Sequence, residues 1–170
     1  MTNFKWYPAT GMDIDSIVKM AQDHFETEID LIFTPDPIAY GRNLTLAVVN
    51  QFYLPITELL SVCKDDTGKL LAYTWAVSNQ RAPWSDDNMV SIKMAHVDLT
   101  LPIKQRLQIV NSMFSLWEGF AKLANNPIVC STTMRKDQDG FLKLHKRNGY
   151  DVRGSYAYKK IDTTQATPAN

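Results

Sequence analysis

Ile128-Val129-Cys130-Ser131-Thr132-Thr133, then Asp137-Gln138-Asp139-Gly140, then Phe141-Leu142-Lys143-Leu144-His145-Lys146-Arg147-Asn148-Gly149-Tyr150 is the stretch on which the fold turns. An uncharged run led by β-branched residues reads as a buried strand, the Asp/Gly cluster as a turn, and the basic segment as a short helix over Phe141 to Asn148. Gly149 stands where helices commonly end in the left-handed conformation. The spacing of Val152, Tyr156 and Tyr158 predicts a last strand over Tyr150 to Ile161. Upstream, Leu107, Val110, Met113, Phe114, Trp117, Phe120, Ala121 and Ala124 recur at three- and four-residue spacing. That pattern predicts a long helix over Gln105 to Ala124, laid on a sheet and stopped by Asn125-Asn126-Pro127. A helical crossover brings the next strand in parallel, so Ile128 to Thr133 is expected beside and parallel to its predecessor.

Earlier in the chain, Phe4 to Pro8 reads as an aromatic strand, and Pro8-Ala9-Thr10-Gly11 punctuates it. Asp13 is placed as the N-cap of a helix over Asp13 to Phe25, whose face carries Ile14, Ile17, Val18 and Ala21. After Thr34-Pro35-Asp36-Pro37, a second helix runs from Ile38 to near Pro55. Glu58 to Lys64 and Lys69 to Ser78 form a hairpin around Asp65-Asp66-Thr67-Gly68. A polar loop, Asn79 to Asn88, precedes an antiparallel strand over Met89 to Asp98. Thr163 to Asn170 has nothing to bury and reads as a polar tail, leaving 1–162 as one domain.

The 170 residues are 45% hydrophobic, enough for one sizeable core. Eighteen basic residues balance eighteen acidic ones, which removes any long-range field toward nucleic acid or anionic membranes. Only a local cluster of Arg135, Lys136, Lys143, Lys146, Arg147 and Arg153 speaks for nucleic acid, and neutrality counts against it. No run approaches a membrane span or a signal-peptide core, so a cytoplasmic protein is expected. Cys63 and Cys130 read as buried structural thiols. His24, His96 and His145 lack metal-ligand spacing, and no metal is expected.

Certain residues carry chemistry. Lys104, Gln105 and Arg106 at a helix N-terminus suit an anion, with solvated helix charges as the plain alternative. His96 and Asp98, two apart on one strand, are expected on one face; Asp98 also suits a cap of the turn at Leu99-Thr100. His145 titrates near neutrality, or lies on an exposed polar helix face. Trp84, Asp86 and Asp87 suit a cationic ligand, or are solvated loop residues.

The order strand, two helices, three antiparallel strands, long helix, strand, short helix, strand resembles the GNAT superfamily of N-acyltransferases over Phe4 to Ile161. Gly68-Lys69-Leu70-Leu71-Ala72-Tyr73 is similar to the family's second hairpin, and Leu144-His145-Lys146-Arg147-Asn148-Gly149-Tyr150 to its closing helix. The resemblance implies an α/β (α+β) fold with a central mixed, mostly antiparallel twisted sheet flanked by helices. It implies acetyl-CoA or another acyl-CoA, with the pyrophosphate at Lys104, Gln105, Arg106 and Gln108. It also implies His96 or Asp98 as general base, His145 as the acid for the leaving thiolate, and the Met94 to Val97 backbone orienting the acyl carbonyl. Gln105 matches the first position of the family's phosphate motif. Gln108 and Val110 stand where small residues expose backbone donors, so acetyl-CoA is expected to bind weakly or not at all.

Two functions follow. One is an acyl-CoA-dependent N-acyltransferase acting on a primary amine of a small molecule or protein. The other is a non-catalytic GNAT-fold subunit of a larger assembly, without cofactor, whose partner holds the tail; the chain loosely resembles GNAT-like proteins of tailed phages, some of them virion components.

Overall fold

The computed structural model describes residues 3–29, 33–136, 138–154 and 157–160. Strand β1 (Phe4–Pro8) leads through a 3-10 turn (Gly11–Asp13) into α1 (Ile14–Thr27), followed by α2 (Pro37–Tyr53). Then come β2 (Glu58–Asp65), β3 (Leu70–Arg81), β4 (Asn88–Val97), α3 (Ile103–Leu123), β5 (Ile128–Ser131) and α4 (Gln138–Arg147). The five strands lie side by side in chain order. The first four pair antiparallel, and β5 joins β4 in parallel, as the crossover helix requires.

Helices cover both faces. α3 presses Ile109, Met113, Phe114 and Trp117 against Leu71, Ala76 and Val90 of the sheet. α1 and α2 close the other face with Ile17, Ala21, Leu44 and Ala47 against Leu60, Val62 and Tyr73. The indole of Trp117 donates to Thr74 Oγ1 at 2.8 Å, and that hydroxyl donates to the Met94 carbonyl at 3.0 Å, so the buried polar atoms at the centre are paired.

Local chemistry explains the element ends. Asp36 caps α2 by accepting from the N–H groups of Ile38 and Ala39, with Pro37 in the first turn. Gly68 and Gly149 adopt φ of +85° and +82°, the left-handed turns their positions predicted. Three expectations need correction. Asp13 does not cap α1 with its side chain; its carboxylate accepts from Thr10 N and Oγ1 in a capping box around the 3-10 turn and pairs with Lys64. β3 and β4 extend further into the predicted polar loop, leaving residues 82–87 between them. No strand forms among the described residues of the Tyr150 to Ile161 segment. Val152 and Tyr158 are exposed, Gly154 has φ +81°, and the charged neighbours Asp151, Arg153, Lys159 and Lys160 leave the segment without an apolar face to bury. The tail from Thr163 to Asn170 lies outside the described residues.

Two irregularities in β4 shape the site. Trp75 pairs with Met94 and Ala76 with Ile92, so Lys93 is one extra residue on β4, a β-bulge. A one-residue insertion inverts side-chain parity beyond it. Val90 and Ile92 therefore belong to the α3 side, whereas Met94 joins the α1/α2 core. The parallel β4/β5 ladder ends at the same point, with Ile92↔Ser131, while β4 runs on to Val97. Beyond the bulge the two strands part.

Candidate functional site

Where β4 and β5 part, a cavity of about 260 Å³ opens, walled by Phe25, Ile29 and Phe33 from α1 and beyond it, by Met94 and His96 of β4, and by Arg135 after β5. The bulge at Lys93 is what puts His96 there: without it, His96 would share the side of Val90 and Ile92.

His96 is buried within a chain of polar groups that crosses the α1/α2 core. Its Nδ1 lies 2.8 Å from the Tyr73 hydroxyl, which lies 3.0 Å from the Tyr40 hydroxyl on α2. Its ring stacks on His24 of α1 at 4.2 Å between centroids, with the ring planes nearly parallel at 5°. Burial, reinforced by the neighbouring His24, holds His96 well below the usual imidazole range, so it is neutral at pH 7. Burial also raises both tyrosines, so neither gives up its proton outright.

His24 donates Nε2–H to the Val97 carbonyl at 2.7 Å. Burial, with help from Arg135, pulls it down to about 4, against the opposing pull of the Val97 bond. Its Nδ1 faces Glu28 at 3.2 Å, but the Glu28 carboxylate is taken by Arg135. Arg135 further donates to the Ala95 carbonyl at 3.0 Å and lies over the Phe141 ring, 5.2 Å from its centroid. Its side chain thus holds the two parted strands together where their ladder has ended, which also removes it from the basic cluster read in the sequence.

A second cavity of about 160 Å³ adjoins, lined by Arg106, Val110, Arg135, Glu28 and Leu144 among others. α3 begins at Ile103, two residues before the predicted start, with Pro102 at its N-cap and no side-chain cap. The first helical bond runs from Arg106 N to the Pro102 carbonyl at 3.0 Å, so the N–H groups of Ile103, Lys104 and Gln105 lack helical partners. Lys104 is exposed, Gln105 and Arg106 are half-buried, and Arg106 Nε is enclosed without a partner. Gln108 is exposed and Val110 half-buried, both inside the helix beyond these open donors.

The other sequence candidates fall elsewhere. Asp98 accepts from Thr100 N at 2.9 Å and Oγ1 at 2.6 Å and from Lys69 Nζ at 2.9 Å. Partial burial raises its carboxyl, but these bonds outweigh that and hold it below the usual range. The residue caps the turn and does not join His96 at the cavity. His145 is not on a solvated face: it is buried, donates Nδ1–H to the Phe141 carbonyl at 2.9 Å, and packs against the rings of Phe114, Phe141 and Tyr150. Its Nε2 is enclosed without a partner, and burial lowers its pKa. Trp84, Asp86 and Asp87 are solvated on the β3–β4 loop. Cys63 is buried and its thiol pushed up to about 12, while Cys130 is half-buried.

Sequence reasoning missed His24, Tyr40, Tyr73 and Glu28. The signal was a polar group within an apolar pattern, His24 on α1, Tyr40 on α2 and Tyr73 on β3, and polar atoms that must be buried need partners from elsewhere in the fold.

No protein-family model matches the sequence, and no curated protein matches it either. Solved structures do match. A transcriptional regulator from Bacillus halodurans C-125 superimposes with TM-score 0.72 at 13% identity, over 94% of this chain and 100% of its own. A predicted acetyltransferase from Clostridium acetobutylicum, solved with acetyl-CoA, gives 0.69 at 13% identity over 94% and 96%. The aminoglycoside antibiotic 6'-N-acetyltransferase of Acinetobacter baumannii gives 0.64 at 15% identity over 94% and 99%. At these identities the likeness is one of fold: the chain has the mixed α/β, mostly antiparallel architecture of the GNAT acetyltransferases.

Proposed function

We propose that the protein is an acyl-CoA-dependent N-acyltransferase acting on a primary amine, with His96 as the group that takes the amine's proton. The observation that carries this reading is the β4 bulge at Lys93, which turns a buried, neutral imidazole into the cavity where β4 and β5 part. Acyl-CoA, when bound, would supply the thioester whose C–S bond breaks as the amine's N–C bond forms; the nitrogen loses one proton to His96 before attack, and its second would leave with the departing thiolate as the free thiol.

The residues at the start of α3 fit such an anion. Three N–H groups without helical partners open at the helix end where partial positive charge collects, beside the exposed Lys104 and the half-buried Gln105, and Arg106, its Nε enclosed and unpartnered, lines the cavity of about 160 Å³. Gln108, exposed one turn after Lys104 on the same side of α3, is assigned to the same ligand. Side chains thus replace the small residues of the family's motif, and binding is expected to be weak.

A base held well below the usual imidazole range accepts a proton reluctantly. The hydroxyl chain resolves this. As His96 Nε2 gains the amine's proton, Nδ1 passes its own to Tyr73, and Tyr73 passes one to Tyr40, so no imidazolium need persist in the core. Tyr40 lines a separate groove with Gln22, Asp36 and Asn43, where the proton leaves. His145 is left out of this scheme, because its Nδ1–H is held by the Phe141 carbonyl and its ring lines neither cavity beside β4.

A second reading, a non-catalytic subunit that kept the scaffold, is favoured by one contact: the Arg135 guanidinium on the Ala95 carbonyl, in the gap between the parted strands. Calorimetry with acetyl-CoA, followed by a thiol-release assay over a panel of amines, decides between them. Saturable binding lost in Arg106→Glu, with thiol release, is expected for the enzyme. Calorimetric silence and no release would leave the subunit reading.

A further inference from the structure

We infer that the cavity beside His96 takes a monoamine on an apolar skeleton about the size of one ring; as the identity of the acceptor, this rests on the acyltransferase reading above. Its walls are largely hydrocarbon, from Phe25, Ile29, Phe33, Met94, Met134 and Phe141. Its polar lining comprises Lys93, His96, Thr132, Thr133 and Arg135, with no Asp or Glu among the described residues that line it. Of the described acids nearby, Glu28 lines the adjoining cavity and is already paired with Arg135, and Asp36 lines the separate groove beyond Phe33 and Pro35.

That lining discriminates by charge. A charge moved from water into apolar surroundings is strongly disfavoured unless a counter-charge meets it. A single ammonium escapes this, because its proton must leave through His96 before the nitrogen can attack. Every additional ammonium of a polyamine keeps its proton, and the charged residues among those described in the cavity lining are Lys93 and Arg135, both cationic. Size discriminates as well: a dry cavity of about 150 Å³ holds benzene, so about 260 Å³ admits one ring with a short alkylamine. Affinity then comes from burying the skeleton against aromatic and thioether side chains.

The test needs no acyl-CoA. The full chain, labelled with ¹³C at Ile and Met methyls, is titrated with 2-phenylethylamine and, separately, with spermidine. Phenylethylamine is expected to shift Ile29, Ile92, Met94 and Met134 saturably, while Met12, exposed, and Ile17, buried on the inner face of α1, stay in place. Spermidine at equal concentration is expected to move none of the four. Thr132→Glu places a carboxylate at an exposed position of the lining, where folding is not at risk, and is expected to raise spermidine affinity about five- to tenfold. Spermidine shifting the four methyls of the wild-type chain as readily as phenylethylamine would overturn the inference, and so would phenylethylamine leaving them unmoved. Binding of phenylethylamine without thiol release from acetyl-CoA would support the ligand class and remove the acyltransferase reading instead.

Discussion

Tyr73 carries two hydrogen bonds with one hydroxyl, to His96 Nδ1 at 2.8 Å and to Tyr40 at 3.0 Å, and no water reaches it. Tyr73→Phe keeps the ring and removes both bonds. The loss of two buried partners is expected to lower stability by about 1–3 kcal/mol. In an active enzyme it should also lower kcat by about 10²-fold or more with KM little changed, because the proton path is cut while the cavity keeps its shape. Steady-state kinetics beside a thermal melt measure both, and an unchanged kcat would reduce Tyr73 to a structural role. His145 gives the contrasting case. His145→Ala opens a hole among Phe114, Phe141 and Tyr150, and is expected to destabilise by about 2–4 kcal/mol while leaving the turnover of the folded fraction unchanged. A selective loss of turnover with an unchanged melt would restore it as the acid.

At the scale of elements, glycines report what each backbone needs. Gly149 ends α4 at φ +82°, and a Cβ added there would meet nothing within 4 Å, so Gly149→Ala meets backbone strain alone. It is expected to cost about 1 kcal/mol. Gly119 sits inside α3 without a positive φ and likewise has open space where a Cβ would stand. Gly119→Ala should stabilise by about 0.5–1 kcal/mol, because alanine loses less freedom on joining a helix. Chemical denaturation of the two variants should move their midpoints in opposite directions. The β4 bulge is an element-scale device too: one extra residue at Lys93 ends the parallel ladder and re-aims Met94 and His96.

For the whole molecule, three buried histidines, all with lowered pKa values, set the acid limit of stability. In the unfolded chain each titrates near 6.5, and His24 in the fold only near 4. Between those values the unfolded state binds more protons, so stability is complete above about pH 6.5 and falls as pH drops toward 4. His24 alone accounts for about 3 kcal/mol over that window. Asp13 and Asp98, whose folded pKa values are depressed, add a further loss at lower pH as they protonate. Melting temperatures between pH 7.5 and 4 should fall progressively, and His24→Leu should flatten the curve; a flat wild-type profile would show the histidines to be solvated. No helix among the described residues is long and apolar enough to cross a membrane.

The order of elements from β1 to α4, the hairpin at Asp65 to Gly68, the α3 crossover and the parallel β5 were all legible in the chain. Each depends on hydrophobic period or turn chemistry within a dozen or so residues, which the local sequence carries. So was the Asp98 cap on Thr100, a contact two residues long. The face of His96 was not. Strand alternation alone puts it with Ile92, and only pairing with β3 shows that Lys93 is a bulge. His145 likewise sits in a segment whose local composition is charged, yet Phe114 and Tyr150, brought in by the fold, enclose it. The segment after Tyr150 failed in the opposite sense, since partial alternation made a strand that finds no apolar face to cover. Register, burial and the partners of buried polar groups are long-range properties, decided when the sheet closes against α1 and α3, and they gather His24, Tyr40, Tyr73, His96 and Arg135 into one site.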